Sequence, residues 1–343
     1  MKEYLISGDI SVRDAMKKLD ATAEKIVFVV ADNKLCAAIT DGDIRRYLMN
    51  GGTLEDSAIR AANCSPKSAN SIQNAKALYH KKNYVAIPVV NADGVITSIY
   101  TGEKDATGRK PTINLPVVIN AGGKGSRLDP YTRVLPKPLI PVGELPIIEH
   151  IMQAFLSYGC NDFHMIVNYK KQLIKSYFGE SENQYNIAWY DEDQPLGTGG
   201  GLSLVKGKIN STFIFANCDT LMLSNYDSMV RFHKEHHNLI TMIAAYKNVA
   251  IPYGIIEMGK DGIIEEMKEK PEMSFLANTG MYIVEPEVLD YFEDAVRVDF
   301  PVVIEKIREQ GERVAVYPVS EHEWLDMGQL PELEKMRIRL CKE

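Results

Sequence analysis

The chain has 343 residues, 45% of them hydrophobic and 25% charged, with a formal net charge of −7. That length exceeds what one hydrophobic core organises, so two domains are expected, and the ordinary composition excludes a largely disordered or fibrous chain. The negative balance leaves no general basic footprint for nucleic acid, although a local cluster of Lys and Arg can still bind phosphates.

Met1 to Ile10 has neither the basic start nor the apolar run of a signal peptide. No stretch reaches the roughly 18 to 20 apolar residues of a membrane-spanning helix, so no membrane partner is expected. Five cysteines (Cys36, Cys64, Cys160, Cys218 and Cys341) are scattered without C-x-x-C spacing. Reduced packing thiols in a cytoplasmic protein are the expectation, not a disulfide framework or a zinc site.

In chain order, Ser11–Leu19 reads as a helix, Ile26–Val30 as a strand, Asp32-Asn33 as a turn, Leu35–Ile39 as a strand and Asp43–Met49 as a helix. The order then recurs. Ser71–His80 is a helix with Ile72, Ala75, Leu78 and Tyr79 on one face; Ala86–Val90 is a strand, Ala92-Asp93-Gly94 a turn and Val95–Tyr100 a strand. Two copies of about 50 to 60 residues suggest a pseudo-symmetric pair, because neither could bury its sheet alone.

This repeat, with Ala38-Ile39-Thr40-Asp41-Gly42-Asp43-Ile44-Arg45-Arg46, resembles the cystathionine-β-synthase (CBS) domain pair. The resemblance implies an adenine nucleotide in the cleft between the copies, held by Thr40 and Asp43. It also implies a homo-oligomer, since CBS pairs commonly associate face to face. The second copy departs from the pattern, because Lys104 follows Thr101 where an Asp is expected. Sensing and simple dimerisation both remain open for the pair.

The segment Gly102–Pro116 is polar and holds glycines and prolines without an apolar period. The expected division is a CBS pair over 1–107 (copies about 1–55 and 56–107), a linker over 108–116 and a second domain over 117–343. That domain opens on Val117–Asn120, a β-branched run of the buried parallel-strand type. Ala121-Gly122-Gly123-Lys124-Gly125-Ser126-Arg127-Leu128 follows it. Glycines let backbone N–H groups approach phosphate oxygens, and Arg127 adds a bidentate cation. Walker A and the Rossmann fingerprint are both missed. Downstream, Pro136-Lys137-Pro138 presents one ammonium from a stiff segment.

Together these motifs closely resemble the sugar-1-phosphate nucleotidyltransferases, whose signature is a G-G-x-G-[ST]-R-L loop followed by P-K-P. The resemblance runs from about Leu115 to about Pro331. It implies an α/β, Rossmann-like (GT-A-like) mixed sheet with helices on both faces. Nucleotide contacts are then implied at Ala121, Gly122, Gly123, Gly125, Ser126, Asn168 and the loop Pro195, Leu196, Gly197 and Thr198. Asp219, at the end of the apolar run Phe213–Asn217, and Asp326, in Trp324-Leu325-Asp326-Met327-Gly328, are implied as ligands of Mg²⁺. Arg127 and Lys137 would stabilise the triphosphate, and Lys270 of Glu269-Lys270-Pro271 would hold the sugar phosphate. Tyr253, Gly254, Glu269, Asn278 and Thr279 are implied on the sugar side.

The implied reaction joins a nucleoside monophosphate from a nucleoside triphosphate to a sugar 1-phosphate, with release of pyrophosphate. The Leu-Gly-Thr-Gly-Gly loop resembles GTP-using relatives. With the CBS pair it resembles the glucosamine-1-phosphate guanylyltransferases that feed legionaminic acid synthesis. Uridylyl, cytidylyl or thymidylyl transfer to another hexose or heptose 1-phosphate, and a non-catalytic nucleotide-sensing subunit, are the alternatives. No hexapeptide repeat follows Asp326, so no fused acetyltransferase is expected. His233-Lys234-Glu235-His236-His237 reads as a solvated helix end, without a third ligand for a metal.

Overall fold

The computed structural model describes residues 2–22, 25–82, 84, 86–101, 112–179 and 185–340. The chain forms two compact units, Met1–Arg109 and Lys110–Glu343. Residues 108–111 of the expected linker lie outside the described residues. Its last part belongs to the second unit: Ile113 N–H donates to the Tyr158 carbonyl at 2.8 Å, and Leu115 is buried.

The first unit contains β1 (Leu5–Ile6), α1 (Val12–Ala21), β2 (Ile26–Ala31), β3 (Lys34–Thr40), α2 (Asp41–Met49), α3 (Ile72–Lys82), β4 (Ile87–Val90) and β5 (Ile96–Tyr100). β1 runs parallel to β2, which pairs antiparallel with β3. The second copy repeats this arrangement: Ala69 bridges Val89 in parallel, and β4 pairs antiparallel with β5. Both hairpins even shift register at the matching place, between Val29 and Val30 and between Val89 and Val90. The first turn places Asp32 and Asn33 at positive φ, which two-residue hairpins require. Ile26, Phe28, Ala38, Ala86 and Ile96 form one cluster shared by both copies, so each hairpin buries the other. Ile72 departs from its expected inward place. It is 58% exposed, and Ala75 carries the buried face of α3.

Thr40 and Asp43 form the capping box of α2. Asp43 Oδ2 accepts from Thr40 N at 2.9 Å, and Thr40 Oγ1 accepts from Asp43 N at 3.3 Å. Both side chains therefore satisfy backbone donors that the first turn would otherwise leave unpaired.

The second unit runs β6 (Val117–Asn120), α4 (Tyr131–Val134), β7 (Pro141–Val142), β8 (Leu145–Pro146), α5 (Ile147–Leu156), β9 (Asp162–Val167), α6 (Lys171–Gly179) and β10 (Asn186–Asp191). It continues through β11 (Phe213–Asn217), β12 (Thr220–Met222), α7 (Tyr226–Glu235), β13 (Ile240–Ala250), β14 (Ile255–Met258) and β15 (Ile264–Lys268). β16 (Glu272–Val284), α8 (Phe300–Glu309), β17 (Val314–Val319), β18 (Trp324–Asp326) and α9 (Leu330–Leu340) complete it. Seven strands form a mixed sheet in the order β10-β9-β6-β11-β16-β13-β17, with β16 antiparallel to both neighbours.

Alternation along each strand feeds two cores. Val117, Ile119, Ile214 and Ala216 pack with α5, α7 and α9, while Val118, Phe213 and Phe215 pack with α8. Both faces are covered, which explains why these strands read as continuous apolar runs. β13 and β16 extend beyond the sheet as an arm that carries the β14–β15 hairpin, where Ile256, Met258, Ile264 and Met267 are exposed.

Candidate active site

The site lies at the C-terminal ends of β6 and β11, where open α/β sheets bind ligands. Asn120, the last residue of β6, ties two loops together. Its side-chain oxygen accepts from Gly122 N at 3.4 Å, and Nδ2 reaches the carbonyls of Gly197 and Thr198, both at 3.4 Å. Gly197 has φ +84°, and a Cβ there would lie 2.7 Å from the Val298 carbonyl, so only glycine fits. Thr198 is anchored to the start of α8. Its hydroxyl donates to Asp299 at 3.1 Å and accepts from Phe300 N at 3.1 Å. The expected phosphate loop and the 195–198 loop are therefore brought together.

Lys137 forms an ion pair with Asp219, and both side chains are largely buried. Burial opposes the lysine's charge, but Asp219, with help from Cys218 and Asp326, outweighs it and holds the ammonium above its usual range. Gly125, at φ +64°, leaves room for the Lys137 stem against the loop.

Asp219 and Asp326 converge through backbone pairing. β12 runs antiparallel to β18 with Thr220 opposite Asp326, and Met327 N donates to the Asp219 carbonyl at 2.9 Å. Burial, then the neighbouring Asp219 carboxylate, pushes Asp326 up to about 6. Both aspartates line a cavity of about 290 Å³ with Arg127, Thr198, Asn278 and Thr279. Among the described residues no group of three or more His, Cys, Asp or Glu is placed to hold a metal. The protein thus offers two mutually repelling carboxylates, a donor set that suits a hard divalent cation completed by water and phosphate oxygens.

The expected sugar-side residues divide into two groups. Between Ile243 and Ala244 the β13 register jumps from Met281 to Asn278, so Thr279 and Gly280 bulge out of β16 into the cavity wall. Thr279 is buried and donates to the Ile243 carbonyl at 2.7 Å, so its hydroxyl fixes the bulge. Asn278 donates to the Tyr282 hydroxyl at 2.6 Å and accepts from Gly280 N at 2.9 Å. Tyr253, Gly254, Glu269 and Lys270 instead sit on the arm and do not line this cavity. Tyr253 is 74% exposed, and Lys270 lies 3.9 Å from Glu269 with both side chains in solvent.

Sequence reasoning missed Glu192. It follows β10, is 4% exposed, and burial raises its carboxyl above the usual range against a Leu196 backbone hydrogen bond. Its Oε1 has no hydrogen-bond partner. A Cβ on Gly122 would lie 2.6 Å from Oε2 and one on Gly201 2.9 Å from Oε1, so the carboxyl touches both glycine loops. Asn168, the expected base-side residue, donates to the Glu192 carbonyl at 2.9 Å. The available signal was a Glu placed directly after a strand and just before the Leu-Gly-Thr loop.

His233 corrects another expectation. It is fully buried, not solvated, and bonds Thr241 Oγ1 at 2.8 Å and Glu285 Oε1 at 2.9 Å. Cys36 and Cys64 are exposed, unlike the buried Cys160 and Cys218.

The profile described as nucleotidyl transferase matches residues 116–343, the span that contains both loops and both aspartates. The chain belongs to the nucleotidyl transferase family. Within it, the mannose-1-phosphate guanyltransferase of Saccharomyces cerevisiae is 31% identical over 226 residues, 62% of this chain and 61% of that protein. A mannose-1-phosphate guanyltransferase 2 of Candida glabrata is 34% identical over 185 residues, 51% of each chain. This nucleotidyl transferase therefore spans about three fifths or less of these curated relatives. The crystal structure of HddC from Yersinia pseudotuberculosis matches with a TM-score of 0.53 at 20% identity, covering 66% of this chain and 99% of that one. That likeness is one of fold. Among the described residues of this nucleotidyl transferase, no helix is long and apolar enough to cross a membrane.

Proposed function

We propose that the second unit transfers a guanylyl group from GTP to a sugar 1-phosphate. The observation that carries this reading is the convergence of Asp219, Asp326 and Arg127 in one cavity, with Lys137 ion-paired to Asp219. A phosphate oxygen of the acceptor forms a bond to the α-phosphorus. The bond from that phosphorus to the bridging oxygen breaks, and pyrophosphate leaves. A phosphate dianion needs no general base, so positioning and charge neutralisation supply the catalysis. Arg127 and Lys137 bind the triphosphate oxygens. Asp219 and Asp326 hold Mg²⁺, which when bound neutralises charge on the reacting phosphates. The presence of all four residues disfavours a non-catalytic sensing subunit.

Glu192 supports guanine. Guanine presents two adjacent donors, N1–H and the exocyclic N2 amine, and a carboxylate accepts both. The similarity to mannose-1-phosphate guanyltransferases also favours GTP. Glucosamine 1-phosphate is the acceptor favoured by the sequence resemblance, and mannose 1-phosphate the one suggested by those relatives. The first unit is proposed as a CBS pair that takes an adenine nucleotide and supports homo-oligomerisation. The duplicated bulged hairpin and the placement of Thr40 and Asp43 at the start of α2 support that reading.

The test is Mg²⁺-dependent pyrophosphate release with each nucleoside triphosphate against a panel of sugar 1-phosphates that includes both acceptors. A GTP-selective signal is expected. Selectivity for another base overturns the guanylyl assignment, and silence across the panel with GTP bound overturns the catalytic one.

A further inference from the structure

Arg127 and Lys137 stand at the two ends of a connection that has little packing of its own. Of residues 129–135 only Thr132 is buried, and Val134 is 72% exposed. The connection's helix, α4, is a single turn, which is not stable alone and leaves its last carbonyls without helical donors. Those carbonyls are taken up from outside, by the two residues that follow Asn168. The Tyr169 hydroxyl donates to the Thr132 carbonyl at 3.1 Å. The Lys170 ammonium donates to the Val134 carbonyl at 2.8 Å and also to that of Arg133. The same pair reaches the glycine loop. Tyr169 N donates to the Gly122 carbonyl at 3.3 Å, and the Thr132 hydroxyl donates to the Gly125 carbonyl at 3.2 Å.

We propose that Tyr169 and Lys170 are positioning residues for nucleotidyl transfer, clamping residues 129–135 so that Arg127 and Lys137 keep the spacing the triphosphate requires. The assignment rests on the nucleotidyl-transfer reading and adds to it two residues that act through the loop. Neither lines the cavity shared by Asp219 and Asp326. With two of its three N–H donors committed to carbonyls, Lys170 holds backbone in place of phosphate. Its neighbours Lys171 and Lys175 instead pair with Asp191, at 3.3 and 2.6 Å. Lys170 also takes φ +51°, a left-handed backbone that side chains other than glycine rarely adopt. Strain of that kind persists only where the surrounding contacts hold it.

Steady-state kinetics on the full chain test this. Lys170→Met keeps the apolar stem and removes the donors. It should raise KM for GTP about tenfold and lower kcat, while KM for the sugar 1-phosphate stays within about twofold. A loss of folded protein lowers the apparent kcat but cannot raise KM for one substrate alone. Lys170→Arg still offers a fork of donors to the two carbonyls and should recover most of the loss. Tyr169→Phe changes no charge and should raise the GTP KM in the same direction, on the order of threefold. Lys175→Ala, on α6 but paired with Asp191, should leave both KM values within about twofold. An unchanged GTP KM in Lys170→Met, or an equal rise in Lys175→Ala, overturns the proposal.

Amide hydrogen exchange on the substrate-free chain separates failure of the clamp from failure of the transfer reaction itself. Residues 126–137 should exchange about tenfold faster in Lys170→Met than in the parent, with β6 and β11 unchanged. Faster exchange there, in a parent that transfers from no triphosphate, keeps the clamp and removes the reaction it serves. Exchange over 126–137 equal to the parent's overturns the clamp, whatever the kinetics show.

Discussion

Lys137 and Asp219 form an ion pair whose side chains are 13% and 12% exposed, within a cluster that also contains the Asp326 carboxyl. Removing one partner of such a pair leaves a buried charge uncompensated. Lys137→Ala should therefore destabilise the protein by about 3 kcal/mol in EDTA. Mg²⁺ should restore part of that loss, since a divalent cation supplies the missing positive charge. Urea denaturation with and without Mg²⁺ measures both, and equal losses in the two conditions would contradict the assignment of Asp219 to the metal.

Asp326 gives a pH signature. Its carboxyl titrates near 6 in the folded chain against 3.8 for an ordinary Asp, so the folded state binds more protons between those values. Stability in EDTA should fall as pH rises from about 4 to about 6 and stay lower above that. Asp326→Asn should be more stable than the parent at pH 7.5, by on the order of 2 kcal/mol after allowance for solvent screening. The gain should vanish near pH 4. The same substitution should abolish turnover, which pyrophosphate release would show.

The proposed contact between Glu192 and guanine predicts a base preference that can be inverted. A Gln at this position offers one acceptor and one donor, which matches the N3–H and O4 edge of uracil or thymine and opposes the guanine amine. Glu192→Gln should lower kcat/KM for GTP by about 100-fold and raise the relative use of UTP or dTTP. Competition between the triphosphates measures the shift, and an unchanged preference would remove Glu192 from base recognition.

Gly197 tests the loop. At φ +84° with the Val298 carbonyl against its face, Gly197→Ala is strained in both torsion and space. A stability loss of about 1 to 3 kcal/mol is expected, together with a higher KM for GTP and an unaltered acceptor KM. Thermal unfolding and kinetics check the two halves independently.

Local chemistry was the legible part of the sequence. The glycine loop, the proline-flanked Lys137, the apolar strand before Asp219 and the duplicated hairpins are each contiguous, and each appears where expected. What depended on distant pairing was hidden. The Thr279-Gly280 bulge exists because β13 and β16 fall out of step, which no period along β16 announces. His233 looked solvated because Thr241 and Glu285, which bury and bond it, come from other strands. Lys170 reads as one more lysine until the Arg133 and Val134 carbonyls arrive beside it.

The arm formed by β13 and β16 with the β14–β15 hairpin has a mechanical consequence. Its tip, with Tyr253, Glu269 and Lys270, contributes no residue to either apolar core of the second unit. Residues 251–272 therefore behave as a cantilever bolted to a finished machine. A graft of this stretch from a relative should therefore leave both apolar cores of the second unit intact.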